Sequence, residues 1–266
     1  MDLELNGRKG IVTGGSRGIG KAVARELVRE GADVVIAART LDALETTATE
    51  LASESGRTVL PIACDTASDD SVREMVARAS AGLGGVDILV NCAAAPGGQA
   101  RPPRLAEITD EHFWPDVNVK VMGYLRCIRE VAPHMARRGG GRIVNVSGYA
   151  ALRTGSTIGS MRNVAVAALT KNLADELGPL GISVNVVHPG LVRTEKTAGV
   201  VGRQAEARGV PEEEIEREMA RGNVIGRVIE AAEIASVVAF LCSSRAVAIN
   251  GDAVTLTGGA PGVIHY

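Results

Sequence analysis

Thr13-Gly14-Gly15-Ser16-Arg17-Gly18-Ile19-Gly20 directly follows the apolar run Gly10–Thr13 and precedes a stretch of helical period, Lys21–Glu30. Glycine permits positive φ and removes the Cβ that would block a phosphate. A helix N-terminus offers free N–H groups and partial positive charge to an anion. The spacing TGxxxGxG differs from the commoner GxGxxG dinucleotide fingerprint. Its setting, strand then turn then helix in the first βα unit, still points to a dinucleotide pyrophosphate held by Gly14, Ser16, Arg17, Gly18, Ile19 and Gly20.

The next strand, Val34–Ala37, ends in Ala38-Arg39-Thr40. An acidic residue there would bond the adenosine ribose and repel a 2′-phosphate, whereas an arginine would accept it. Arg39 and Arg17 supply two guanidinium groups and no carboxylate. The expected cofactor is therefore NADP(H), with NAD(H) second.

Farther along, β-branched runs at Val59–Ala63, Ile88–Val90, Ile143–Val146, Val184–Val187 and Val254–Leu256 read as buried parallel strands. Between them, Leu41–Ser53, Asp69–Ala81, Met122–Arg138, Ala165–Leu177 and Ala231–Leu241 carry apolar residues at helical spacing. The alternation predicts an α/β fold: one doubly wound (Rossmann-type) domain over 1–266, with about seven parallel strands in the order 3-2-1-4-5-6-7 and helices on both faces. Gly31, Gly56, Gly82, Gly139 and Gly178 are expected left-handed helix caps. Thr194–Gly226 breaks the rhythm; it is polar, with a helix expected at Glu212–Ala220, and reads as a solvated excursion or a lid over a site.

The chain has 266 residues, and 29 basic against 31 acidic side chains leave a net charge of −2. That excludes a bulk basic field for nucleic acid or an anionic membrane. Aromatics are 2%, too few for a base-stacking platform. No run reaches the ~18 apolar residues of a membrane helix. The acidic start MDLELNGRKG lacks a signal peptide's apolar core. Cys64, Cys92, Cys127 and Cys242 are scattered in apolar contexts, so free thiols in a cytoplasmic compartment are expected. His112 and His134 have no ligand-spaced partners, so no metal is expected.

These motifs resemble the short-chain dehydrogenase/reductase family over nearly the whole chain. Cys64-Asp65 looks like that family's third-strand Asp, and Asn91-Cys92-Ala93-Ala94 resembles its NNAG motif. Pro189-Gly190-Leu191-Val192-Arg193-Thr194 resembles its PGxxxT stretch. The resemblance implies cofactor contacts at Asp65, Asn91, Ala93, Pro189, Gly190, Val192 and Thr194. It also implies a homotetramer or homodimer through Met122–Arg138 and Ala165–Gly178, and a catalytic Asn, Ser, Tyr and Lys. In that set Tyr exchanges the proton and Lys lowers its pKa, because an unassisted phenol near pKa ~10 is a poor acid at neutral pH.

The sequence departs from this set. The tyrosines are Tyr124, Tyr149 and Tyr266, and none has Lys four residues on. Counting back from Leu169-Thr170-Lys171 puts Asn163 at the Lys position and Gly159 at the Tyr position; counting from the fifth strand puts the Tyr position near Met161. The Ser position falls on Gly148, one past Ser147, and the Asn position on Asn118 or Lys120. Three readings follow. A hydride-transfer enzyme acting on a small-molecule substrate would use substitute groups: Ser147, Tyr149, Lys120 and Asn118, with Arg153 or Ser160 assisting. An NADP(H)-binding sensor or partner subunit would catalyse little. The third is non-redox chemistry on an acyl or sugar substrate. Tyr149 also fits a packed loop residue, Lys120 a solvated helix charge, and Asn163 a helix N-cap.

Overall fold

The computed structural model describes residues 1–95 and 101–262. The strands are β1 (Lys9–Thr13), β2 (Asp33–Ala38), β3 (Val59–Ala63), β4 (Ile88–Asn91), β5 (Gly141–Val146), β6 (Ile182–Pro189), β7 (Val192–Arg193), β8 (Ile229–Glu230) and β9 (Ala253–Leu256). Seven of them form a sheet in the order β3-β2-β1-β4-β5-β6-β9, every neighbouring pair parallel. This is the expected order, with β7 and β8 pairing separately.

Period-two alternation along the strands divides the core. Val12, Val34, Ile36, Val90, Val144 and Val187 pack with Val23 and Leu27 of α1 (Gly18–Arg29), Leu44 and Leu51 of α2 (Leu41–Ser55), and Ile234 and Val238 of a C-terminal helix, Ala231–Leu241. Ile11, Val35, Leu89, Ile143 and Val184 face the other way. They meet Val72 and Met75 of α3 (Asp69–Leu83), and Ile128 and Met135 in the helix Gly123–Arg137. A sheet covered on both faces needs apolar residues in both phases, which is why its strands read as continuous apolar runs.

The chain between β4 and β5 differs from expectation. The single helix expected at Met122–Arg138 is preceded by α4 (Asp110–Val117) and a widened π turn, Asn118–Met122, before α5 (Gly123–Arg137). Pro115 lies inside α4 and supplies no N–H to the ladder. Helix α6 begins at Thr157, capped by Ser156, whose Oγ accepts from the Gly159 N–H, and runs to Leu177. Asn163 is therefore interior to α6 rather than its cap. Two glycine expectations also change: Gly82 lies within α3 and Gly84 (φ +77) caps it, and Gly178 is right-handed while Gly181 (φ +74) takes the left-handed turn.

The segment after β7 folds as α7 (Thr197–Arg208) and α8 (Glu212–Ala220), the latter with the expected bounds. Val201, Ala205 and Ile215 give these helices a small core of their own. Helix α9 (Ala231–Leu241) returns to the main core.

Candidate active site

The carboxyl ends of β1 and β4 meet where the strand order reverses, the usual ligand crevice of a doubly wound sheet. Thr13 ends β1, and its hydroxyl accepts from the N–H groups of Cys92 (3.1 Å) and Ala93 (3.2 Å). The turn that follows is packed to its limit. A Cβ on Gly14 (φ +68) would lie 2.9 Å from the Cys92 carbonyl carbon, and one on Gly20 would lie 2.2 Å from the Gly14 oxygen.

Arg17 precedes α1 in extended conformation, and Gly18 donates its N–H to the Glu195 carboxylate at 2.9 Å. The first amide N–H of α1 thus already donates to an oxyanion. A hollow of about 280 Å³ opens beside Gly18, Thr194 and Glu195, flanked by Lys21 and Arg25. Arg17 and Arg39 are exposed, and neither forms an ion pair among the described residues. Two guanidinium groups without an ion pair among the described residues, a helix end that donates to an anion, and Arg39-Thr40 rather than an acidic residue directly after β2 fit a dinucleotide phosphate.

The other expected cofactor residues separate into two groups. Ala93, Gly190 and Thr194 lie at the carboxyl edge, where the Gly190 N–H donates to Leu256 O (3.0 Å) and the Thr194 N–H donates to the Thr197 side-chain hydroxyl (2.9 Å). Pro189 ends β6, and Val192 pairs with Ile229. Ser16 receives the Thr47 hydroxyl on its carbonyl. Asp65 is exposed, with Oδ1 accepting from the Ala67 N–H. Asn91 instead turns inward. It donates to Asn145 Oδ1 (2.9 Å), and Asn145 donates to the Thr170 hydroxyl (3.0 Å). The Asn91 Oδ1 is buried without a partner among the described residues.

A second constellation lies beyond the end of β5. Lys120, on the π turn, is 4% exposed. Its Nζ donates to Ser147 O at 2.7 Å and to Asn163 Oδ1 at 3.0 Å. Asn163 Nδ2 donates to Gly159 O (2.8 Å), and the Ser147 hydroxyl lies 3.0 Å from Asn163 O and 3.2 Å from its Oδ1. A Cβ on Gly148 would come within 3.3 Å of the Asn163 amide. Burial, reinforced by the Arg162 guanidinium and opposed by Asp116 and Cys92, lowers the Lys120 pKa to about 7. Burial pushes the Cys92 thiol up to about 12, with Lys120 pulling the other way. Arg162 on α6 pairs with Asp116 on α4.

The structure thus brings Lys120 and Ser147 together. Asn118 enters the π turn with its carbonyl accepting from Arg126 (3.2 Å). Tyr149 is half-buried on a turn, with the Arg153 guanidinium 5.6 Å from its ring centroid. Ser160 gives its hydroxyl to Arg153 O. Tyr266 lies outside the described residues. Asn163 is the site residue that sequence reasoning passed over as a cap. The signal was present in the counting: Lys120 at one implied Asn position, Asn163 at the implied Lys position, a complementary pair of changes.

A family model described as enoyl-(acyl carrier protein) reductase matches residues 14–261. The chain belongs to the short-chain dehydrogenase/reductase family. It is 35% identical over 252 residues to the short-chain reductase protein NovJ of Streptomyces niveus, covering 94% of this chain and 93% of that one. Its fold matches L-sorbose reductase from Gluconobacter frateurii complexed with NADPH and L-sorbose, with TM-score 0.93, 30% identity and coverage of 99% and 100%. It also matches actinorhodin polyketide ketoreductase with NADPH, with TM-score 0.87, 33% identity and coverage of 96% and 98%. The protein is therefore an oxidoreductase of this family with a doubly wound Rossmann-type fold, and a nicotinamide cofactor is supported by its neighbours.

The cysteines are free thiols, three buried and Cys92 half-buried. Among the described residues no helix is long and apolar enough to cross a membrane, and no cluster of His, Cys, Asp and Glu could hold a metal.

Proposed function

We propose that this family member transfers hydride between NADP(H) and a small carbonyl or hydroxyl compound, using a proton-donor set that differs from Tyr-x3-Lys. The observation that carries the cofactor choice is the pair Arg17 and Arg39, both without a carboxylate partner among the described residues, at the end of a strand that closes on Ala38. NADPH in the sorbose reductase and ketoreductase structures supports the same choice.

When bound, the cofactor supplies the hydride. Gly14, Ser16, Gly18, Ile19 and Gly20 would hold its pyrophosphate, and Arg17 and Arg39 its 2′-phosphate. Asp65, Ala93, Pro189, Gly190, Val192 and Thr194 would line the rest of the crevice, while Asn91 would act from beneath by fixing the end of β4. Lys120, Ser147, Tyr149 and the Asn118 turn would surround the reacting oxygen. Helices α7 and α8 would cover the substrate, and α5 and α6 would carry self-association in a cytoplasmic homotetramer or homodimer. A panel of carbonyls and alcohols, followed by NADPH absorbance, tests the reading. Tight NADPH binding with no turnover across the panel favours the other reading, an NADP(H)-binding partner subunit, which rests on the missing Tyr-x3-Lys.

A further inference from the structure

Lys120 stands at one of the two positions for which the family pattern implies Asn, Asn163 stands at a position for which it implies Lys, and the two side chains touch. The bonding around Nζ determines what this exchange makes possible. Two N–H bonds are directed, one to the Ser147 carbonyl (2.7 Å) and one to the Asn163 side-chain oxygen (3.0 Å). A neutral amine has two protons and a lone pair, and an ammonium has three protons. In either state the two acceptors fix the nitrogen, so one tetrahedral position is left over: a donor when charged, a lone pair when neutral. The partners are themselves held, since Asn163 Nδ2 bonds to Gly159 O and the Ser147 hydroxyl bonds back to Asn163. Just past the end of β5, Gly148 carries no side chain, and a Cβ there would come within 3.3 Å of the Asn163 amide that holds Nζ.

We propose that Lys120 is itself the group that exchanges the proton with the substrate oxygen, with Asn163 and the Ser147 carbonyl as positioning partners and the Asp116–Arg162 pair setting its charge. The inference rests on the hydride-transfer reading above. In the reducing direction the carbonyl carbon takes the hydride supplied by the reduced nicotinamide, and the carbon–oxygen π pair moves to oxygen. The oxygen takes a proton from the Lys120 ammonium, whose N–H electron pair returns to nitrogen. The amine then recovers a proton from solvent, and oxidation runs the same steps backwards.

The charged and titratable groups around Nζ come from each neighbouring element. Asp116 on α4 favours the charged form, Arg162 on α6 opposes it, and the Cys92 thiol after β4 is its neutral neighbour. Tyr124 on α5 is buried, its hydroxyl donating to Val146 O. Asp116 and Arg162 bridge the same two segments as Lys120 and Asn163, so the two contacts form adjacent rungs between the α4–π segment and α6. With a midpoint near neutrality, Lys120 meets the requirement that an acid–base group titrate close to working pH.

Two measurements test this. Competitive acetylation of Lys120 across pH, quantified by peptide mass spectrometry, reports its titration without turnover. The expected midpoint is near 7 in the wild type and about one pH unit higher in Arg162→Gln, where the opposing cation is gone. A wild-type midpoint above about 9, or none of the upward shift in Arg162→Gln, overturns the proposal. In turnover, Lys120→Met is expected to lose at least ~100-fold in kcat while retaining NADPH binding by fluorescence titration. Wild-type reduction should fall, and oxidation rise, as pH passes the acetylation midpoint. Lys120→Met keeping more than a tenth of the rate, or a loss confined to Tyr149→Phe, sinks the proposal. Failure of the parent reading looks different, because the wild type itself would then turn over nothing.

Discussion

Lys120 reaches from the widened turn after α4 to Asn163 in the middle of α6, placing Nζ 3.0 Å from Oδ1 in a setting where the lysine is only 4% exposed. Burial, with the Arg162 guanidinium, depresses its pKa to about 7. The unfolded chain would hold a proton on this amine up to the ordinary lysine range, so between these limits the unfolded state binds more protons and stability rises with pH. Below about pH 7 both states are charged and the cost of burying the ammonium is felt in full. Urea unfolding at about pH 7 and pH 9 should therefore show the wild type gaining about 1 kcal/mol per pH unit relative to Lys120→Met. Parallel pH dependence in the two proteins would mean that Lys120 titrates normally.

Arg39 follows β2 as an exposed guanidinium without a carboxylate partner among the described residues. Replacing it by Asp places a negative charge where a 2′-phosphate would rest and leaves the pyrophosphate turn untouched. Arg39→Asp should weaken NADPH binding at least ~10-fold, the scale expected when a charge-assisted hydrogen bond gives way to a repulsion, and change NADH binding little. Calorimetry with both coenzymes reads the difference. Equal losses would place the 2′-phosphate elsewhere.

What was legible in the sequence follows from how local the governing physics is. The seven sheet strands were readable because a sheet covered on both faces demands unbroken β-branched runs, as in Val34–Ala37 and Val59–Ala63. The phosphate turn was readable because its glycines answer to local sterics. The region between β4 and β5 was not. Helix α4 carries Pro115 and exposes Trp114, so neither propensity nor an apolar stripe announces it. Asn163 looked like a cap, whereas helix α6 starts six residues earlier, at Thr157, behind a Ser156 cap. Its contact with Lys120 joins positions 43 residues apart, and only the fold makes that pairing.

Helices α7 and α8 share a core of Val201, Ala205 and Ile215, with Val210 and Met219 packed against it, and this core is separate from those of the sheet. Ile215 is 1% exposed. Truncating a buried Ile to Ala typically costs about 2–5 kcal/mol, and here the loss falls on a local unit able to open by itself. In Ile215→Ala, trypsin should cut after Arg203, Arg208 and Arg217 at least ~10-fold faster, while the main thermal transition moves by no more than about 2 °C. If the segment covers substrate, KM rises more than kcat falls. A drop in the main transition with unchanged proteolysis would show that the two helices are welded to the sheet.

Gly20 sits in the first turn of α1, where an added Cβ would lie 2.2 Å from the Gly14 carbonyl oxygen, a backbone atom with no rotamer to yield. Gly14 has little room on its other side, where a Cβ would lie 2.9 Å from the Cys92 carbonyl carbon. Relief in Gly20→Ala must come from α1 moving off the turn, which displaces the amide of Gly18 from its place at the crevice. Overpacking of this kind costs about 1–3 kcal/mol, and for a chain of this length each kcal/mol lowers Tm by about 2–4 °C. Gly56→Ala is the control: Gly56 is left-handed at φ +68 with nothing within 4 Å of the added Cβ, so it costs about 1 kcal/mol through backbone conformation alone. Both variants should lose stability, but only Gly20→Ala should weaken NADPH binding, by at least ~10-fold in a fluorescence titration. Loss of binding in both would tie cofactor affinity to global stability rather than to the phosphate turn.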